Sequence, residues 1–270
     1  MSDQQLLDIA AELEARAAEL RLLAEMVPEG IDSAPPSVPA PAPSPAPKPL
    51  NDGSASFFED YGAFYDFLRG NKMLGPVISA DEFAGCDTII QACAREGWGV
   101  SWIAYALATA YHETAHTMLP VKEYGGTAYY TRMYDIRGSR PAKARELGNL
   151  TPGDGAKFAG RGYPQLTGRT NYEKATEKLR ERGWNVDLVA NPDDLLKADV
   201  AAAVMVYGMR EGWFTTRDLD DDLPVRGAGT LEQFIASRDI INGRDKAQLI
   251  GGYAIDFQTG LQQAGYRQRP

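Results

Sequence analysis

The sequence predicts a mainly helical domain with minor short strands, preceded by a separate N-terminal helix and a proline-rich spacer. Three observations lead to this. Apolar residues or strong helix formers recur at helical spacing in segments 81–96, 100–118, 141–148, 172–182, 197–210, 230–241 and 246–264. Turn chemistry separates these segments: Glu123-Tyr-Gly-Gly126, Thr151-Pro-Gly-Asp-Gly155, Asn191-Pro192 and Asn242-Gly243. Strands do not alternate with long helices, and there is neither a Walker nor a dinucleotide glycine motif, so a parallel sheet is not expected. Short strands fit near 122–136 and 157–168.

Three zones follow along the chain. In residues 4–27, Leu6, Leu13, Leu20 and Val27 recur every seven, with Ala10, Ala17 and Ala24 four after the first three. This is a narrow apolar seam flanked by charges, as in a coiled coil. It covers only about three heptads and is marginal alone, so residues 1–27 are read as a helix for self-association or for docking to a partner such as a virion. Residues 28–50 contain P-P-S-V-P-A-P-A-P-S-P-A-P-K-P. Such a run stays extended and has no core of its own, which makes it a spacer. Residues 51–270 form the working domain.

Composition narrows the function. The 270 residues carry a net charge of −9, which disfavours nucleic acid as a partner. The longest apolar run, 102–111, is about ten residues and too short to cross a bilayer. The N-terminus M-S-D-Q-Q-L-L-D shows neither the basic start nor the apolar stretch of a secretion signal. The expectation is a protein made in a cytoplasm, acting elsewhere only after release. Cys86 and Cys93 lie seven residues apart in one helical segment. That is about 10 Å along a helix axis, too far for a disulfide, so both read as reduced apolar residues.

The stretch Y-H-E-T-A-H-T-M, 111–118, contains H-E-x-x-H. Three readings are open. His112 and His116 on one helix face could hold zinc, with Glu113 handling a water proton. A third protein ligand is then needed. These are the only two histidines, so the ligand would have to be a carboxylate such as Asp135 or Glu146. Alternatively, Glu113 is the proton donor of a sugar-cleaving enzyme. It follows an apolar helix with Trp102, Tyr105, Leu107 and Tyr111, where burial would raise its pKa. Glu123, beyond Pro120, could fold back across a cleft as the second carboxylate. Metal and organic cofactors are not needed in that chemistry. A catalytically silent glycan-binding module is a third reading, which the paired glutamates argue against, since binding alone needs neither.

Four segments resemble family 19 glycoside hydrolases, the chitinases and related phage or prophage lysins. They are A-Y-H-E-T-A (110–115), K-F-A-G-R-G-Y-P-Q-L-T-G-R-T-N-Y (157–172), A-N-P-D-D-L-L (190–196) and R-D-I-I-N-G (238–243). The second is the most specific. The lysin branch is the nearer one, because V-K-E-Y-G-G follows soon after H-E-T and no plant-type cysteine framework is present. The resemblance implies a two-lobed, lysozyme-like fold and inverting hydrolysis of β-1,4 bonds in an N-acetylglucosamine polymer, peptidoglycan first and chitin second. It implies Glu113 as general acid, Glu123 as second carboxylate and Thr167 as holder of the attacking water. It also implies Gln165, Asn171 and Asn242 as hydrogen-bonding partners of the sugar, Tyr172 as cleft floor and His112 as a residue orienting the acid or packing beneath the cleft. Plant-type relatives place the second acid further along the chain, so Glu123 departs from that branch. Thr127 or Thr131 could position water instead, and Tyr124, Tyr129, Tyr130 and Trp213 could stack on sugar faces. His116 is expected on the helix face or in its last turn.

Overall fold

The computed structural model describes residues 57–75, 77–241 and 243–268. The N-terminal helix of 1–27, the spacer of 28–50 and Asn242 lie outside the described residues.

The described chain is mainly helical, and its centre is a helix with no polar face. In α3 (Val100–Glu113; α1 and α2 precede it) every residue from Ser101 to Tyr111 is buried. A helix apolar all round must be surrounded. Two helices pack directly on it, α2 (Ala80–Arg95) and α10 (Ala247–Gln263), the last running along α3, and α1 (Tyr61–Gly70) packs in turn on α10. α1 starts at Asp60, whose carboxylate accepts from Ala63 N–H. α2 starts with a capping box in which Ser79 and Glu82 satisfy each other's backbone N–H groups. Cys86 and Cys93 are free and buried in α2, and burial pushes both thiols above the ordinary cysteine range.

Two apolar cores are present, which gives the domain its two lobes. The first gathers Phe64, Ile90, Trp98, Leu107, Phe257 and their neighbours. The second gathers Phe158, Tyr172, Leu179, Leu195 and Trp213. α8 (Ala198–Arg210) serves both, with Ala201, Met205 and Val206 in the first and Val200, Ala203 and Val204 in the second. Phe214 packs against both cores. The remaining elements are α4 (Thr127–Tyr134), α5 (Pro141–Glu146), α6 (Asp154–Lys157), α7 (Arg169–Glu181) and α9 (Leu231–Ala236). The sheet is one antiparallel pair, β1 (Val121–Lys122) and β2 (Arg161–Gly162), registered Val121 to Gly162 and Lys122 to Arg161.

Several expectations are corrected. α3 was expected to reach 118 and stops at Glu113. The Thr114 hydroxyl donates to Ala110 O at 2.7 Å and accepts from Met118 N–H at 3.0 Å. His116 N–H reaches back to Tyr111 O at 2.8 Å, with Ala115 and His116 in the left-handed region at φ 51° and 71°. This closes the helix as a glycine would, at a cost of about 1–3 kcal/mol per strained residue. Of the short strands expected near 122–136 and 157–168, β1 takes 121–122 and β2 takes 161–162, and after Gly126 the chain turns into α4, which was not expected. α1 was not foreseen.

The turn after α3 touches α2 at Gly85, where an added Cβ would lie 1.9 Å from Met118 O. Gly85→Ala would gain about 1 kcal/mol of helix propensity. Against that stands overpacking on backbone, about 1–3 kcal/mol or more. The expected net result is destabilisation, read as a lower midpoint in urea unfolding.

Candidate active site

A cleft of about 850 Å³ is lined by both predicted carboxylates, Glu113 and Glu123, and by Tyr124, Gln165, Thr167 and Asn171. Its two walls are built differently.

One wall hangs from Arg161. Its main chain pairs with Lys122 on one side and exchanges hydrogen bonds with Leu166 on the other, at 3.2 and 2.9 Å. Its side chain is only 4% exposed, yet charged. The guanidinium is satisfied inside: Nε donates to Asp193 Oδ1 at 2.7 Å, and Nη1 to Lys157 O, Ala159 O and Tyr172 Oη at 2.9–3.1 Å. Beyond Lys122 the ladder continues, with Glu123 N–H donating to Gly160 O at 2.8 Å. That brings the Glu123 side chain against the G-R-G strand. Its Oε2 accepts from Gly160 N–H at 3.2 Å and its Oε1 from the Tyr134 hydroxyl at 2.7 Å.

Three predicted residues meet at Gly160. A Cβ there would lie 3.0 Å from Gln165 Oε1, 3.2 Å from Thr167 Oγ1 and 3.3 Å from Glu123 Oε2. The hydrogen-bond roles of these groups follow from their donors. Thr167 gives its only hydroxyl proton to Gln165 O at 2.9 Å, so toward the cleft it can only accept. Gln165 spends both amide hydrogens on Val121 O and Gly162 O, each at 2.9 Å, so it offers Oε1. Asn171 donates to Thr167 O at 2.7 Å and keeps one N–H and its oxygen. Gln165 takes a left-handed backbone, φ 52°, to reach this position.

The other wall is the end of α3. Glu113, its last residue, pairs with Arg238, Nη2 to Oε1 at 2.8 Å. Arg238 is 1% exposed and the Glu113 side chain 15%. Arg238 lies on a single 3₁₀ turn, Ser237–Ile240. That turn is fixed to α3 by the Tyr105 hydroxyl, which donates to Ser237 O at 2.6 Å. Arg238 Nε donates to Asp245 O at 3.0 Å. Burial raises the Glu113 pKa above the ordinary glutamate value; the Arg238 charge and hydrogen bond pull it back only in part, and Asp245 adds to the rise. Phe214, Thr215, Ile241 and Gly243 complete this wall.

Other expected residues lie elsewhere. Tyr172 was expected on the cleft floor and is instead fully buried in the second core, donating to Ala159 O at 2.8 Å. It supports the Arg161 strand from behind. His112, Thr127, Thr131 and Tyr129 are not among the lining residues. Trp213 is buried in the second core, and its indole N–H donates to Glu211 at 3.1 Å. Tyr130 is buried and donates to the Glu123 main-chain oxygen. Of the four aromatics expected to stack on sugars, Tyr124 lines the cleft, 75% exposed. Asn242 is outside the described residues, though Ile241 and Gly243 flank it on the lining.

The zinc geometry fails at the backbone. His112 and His116 share a helix face only if α3 continues, and it ends between them. The His116 ring stacks on Tyr111 at 4.1 Å between centroids. Asp135, one candidate third ligand, is buried and accepts three backbone N–H bonds, from Arg137, Gly153 and Gly155. Burial alone would raise its pKa, but those donors hold it below the usual carboxylate range. No cluster of metal-ligating side chains occurs among the described residues.

Sequence reasoning missed Arg238 and Tyr134. Arg238 sat inside a quoted motif whose asparagine drew the attention. Tyr134 lay where short strands were expected, and residues four apart share a face in a strand as they do in a helix, so its spacing from Tyr130 did not single it out. Lys143 and Leu147 on the lining were also unforeseen.

Gly160→Ala is expected to leave the fold intact and to displace Glu123 or Gln165. Small misplacements of reacting groups cost up to about 100-fold. The expected outcome is at least a tenfold loss of kcat with little change in melting temperature, read by parallel kinetics and thermal unfolding.

Neither a family model nor a curated protein sequence matches the chain. Solved structures do. Chitinase C from Streptomyces griseus HUT6037 is 19% identical, with 79% of this chain and 79% of that chain covered and a TM-score of 0.48. A glutamate-to-glutamine mutant of chitinase C is 20% identical, covering 82% and 97%, at 0.42. A bacterial family 19 chitinase is 18% identical, covering 77% and 96%, at 0.38. At these TM-scores the likeness decides nothing about chemistry, which is carried by the side chains of the cleft. In fold, the chain is similar to family 19 chitinases, the family its motifs resemble.

Proposed function

We propose that the protein is a glycoside hydrolase that cleaves β-1,4 bonds of an N-acetylglucosamine-containing cell-wall polymer with inversion. One observation carries this reading: two carboxylates line one cleft in opposite surroundings. Glu113 is desolvated, and burial raises its pKa above the ordinary glutamate value. Glu123 accepts a hydrogen bond on each oxygen, from Gly160 N–H and the Tyr134 hydroxyl. A desolvated carboxyl that shares a cleft with one held by hydrogen bonds suits the pair to acid and base roles.

The chemistry follows from the donors and acceptors. Glu113 gives its proton to the glycosidic oxygen as the bond to the anomeric carbon breaks. A water donates one hydrogen to Thr167 Oγ1, which can only accept, and the other to Glu123. Its oxygen attacks the anomeric carbon from the opposite face, and Glu123 takes the proton. Gln165 Oε1 and the free N–H of Asn171 are placed for sugar hydroxyl and N-acetyl groups.

Among such polymers we favour peptidoglycan. The Lys143–Glu146 pair, 2.7 Å apart, lies on the cleft lining, and both side chains are partly exposed. An exposed pair of this kind is worth about 1 kcal/mol or less, so it can open to the charged stem peptides, which chitin lacks. In this reading the protein is a lysin that reaches the wall after release from the cytoplasm, or a virion component attached through residues 4–27.

The test is mass spectrometry of the fragments released from purified peptidoglycan, with chitin in parallel. New reducing ends with intact stems are expected; new amino termini with intact strands would refute the reading. Glu113→Gln is expected to lower cutting by about 10²–10⁴-fold while glycan binding persists. The alkaline limb of kcat/KM reports the acid of the free enzyme. Because burial raises the Glu113 pKa, that limb is expected above the ordinary glutamate value of about 4.3. Arg238→Leu removes a charge that favours ionised Glu113, and should move the limb to still higher pH.

A further inference from the structure

Glu123 is gripped from a single helix face at two points. Tyr130 and Tyr134 are four residues apart on α4, so their side chains leave the same face. The Tyr130 hydroxyl donates to the Glu123 main-chain oxygen. The Tyr134 hydroxyl donates to Glu123 Oε1 at 2.7 Å. The two carboxylate oxygens are therefore not equivalent. Oε1 faces α4, whereas Oε2 stands with Thr167 Oγ1 and Gln165 Oε1 around Gly160. Only the second oxygen is next to the place assigned to the attacking water.

The helix that carries both tyrosines is itself pinned. Asn149 Nδ2 donates to Tyr134 O at 3.0 Å. Asp135, the next residue, is held by the N–H groups of Gly153 and Gly155 at 2.7 and 3.2 Å. Burial, and then the hydrogen bond to Glu123, keep the Tyr134 phenol protonated well above the ordinary tyrosine range, so it stays a donor.

We propose that Tyr134 is a positioning residue for Glu123: its hydroxyl fixes Oε1 and so turns Oε2 to the water beside Thr167, while Tyr130 fixes the main chain beneath. The inference rests on Glu123 being the base. A flexible glutamate left to itself would present either oxygen, or neither, to the water. The clamp removes that freedom before substrate arrives, as preorganisation requires.

The test uses the full chain and two soluble probes: stem-free glycan strands of peptidoglycan and N-acetylglucosamine oligomers. Tyr134→Phe keeps the ring and removes the hydroxyl. Its kcat is expected to fall about tenfold to a hundredfold, with KM within about twofold. Tyr130→Phe, which loosens only the main-chain tether, should lower kcat by less, again at constant KM. In a Glu123→Gln background Tyr134→Phe should have no further effect, because the hydroxyl acts only through that carboxylate. Full kcat in both single variants overturns the proposal, as does a rise in KM alone. So does an equal fold-loss with and without Glu123. A wild-type chain that cuts neither probe nor whole peptidoglycan fails the functional reading itself, and the clamp with it. A wild-type chain that cuts while Tyr134→Phe matches it fails the clamp alone.

Discussion

A buried guanidinium, that of Arg161, bears the wall on which half of the candidate site is mounted. Taking a charge out of water is tolerated only when its donors are satisfied. Arg161 meets that demand with two main-chain oxygens, the Tyr172 hydroxyl and the Asp193 carboxylate. Its main chain meanwhile pairs with Lys122 and Leu166. Through those pairings it sets where Glu123 stands on one side and where Gln165 and Thr167 stand on the other. The glycines flanking it have reasons of their own. Gly160 leaves room for three polar groups to converge, and Gly162 takes a left-handed turn at φ 81°. A small antiparallel ribbon thus brings together the polar side chains of one wall.

The opposite wall depends on stopping a helix. α3 is buried almost throughout, and were it to continue to 118 its apolar face would run on past the cleft. The Thr114 hydroxyl and the strained residues after it end the helix at Glu113 and leave that carboxylate at the mouth of an apolar surround. Arg238 then moderates the burial. Without a cation the acid would be still harder to ionise; with too close and too wet a pair it would be a plain carboxylate. The packing of the 3₁₀ turn on Tyr105 sets this balance. The same turn accepts the Thr215 hydroxyl at Asp239 O and Ile240 O, which ties the residues after Trp213 to the acid's wall.

The long amphipathic segments were legible in the sequence because their reason is local. α2, α7 and α10 bury one face by the periodicity of their own residues, α8 is buried on nearly every side between the two cores, and the boundaries of all four fall close to those expected. α1 was missed beside the spacer, and α4 was not foreseen where short strands were expected. In α4 the aromatic residues carry β propensity, and the groups that hold it as a helix, among them Glu123, Asn149 and the 153–155 turn, lie outside it. Tyr172 fell inside the most specific motif yet works behind the wall. A motif marks where residues cluster in the chain, not which way each side chain faces once the segment has folded, and Tyr172 faces the second core from α7.

By itself the sequence determined the helical class, the two carboxylates and the polar residues of the G-R-G segment, because each is written in residue type and short-range spacing. Only the tertiary structure decided that the two histidines of H-E-x-x-H do not share one helix face. The spacing of two histidines means one face only on an unbroken helix, and hydrogen bonds of Thr114 and His116 break it. Only the tertiary structure supplied Arg238 to Glu113 across 125 residues. Desolvation and ion pairing depend on what lies within a few ångströms in space, and that distance cannot be read along the chain.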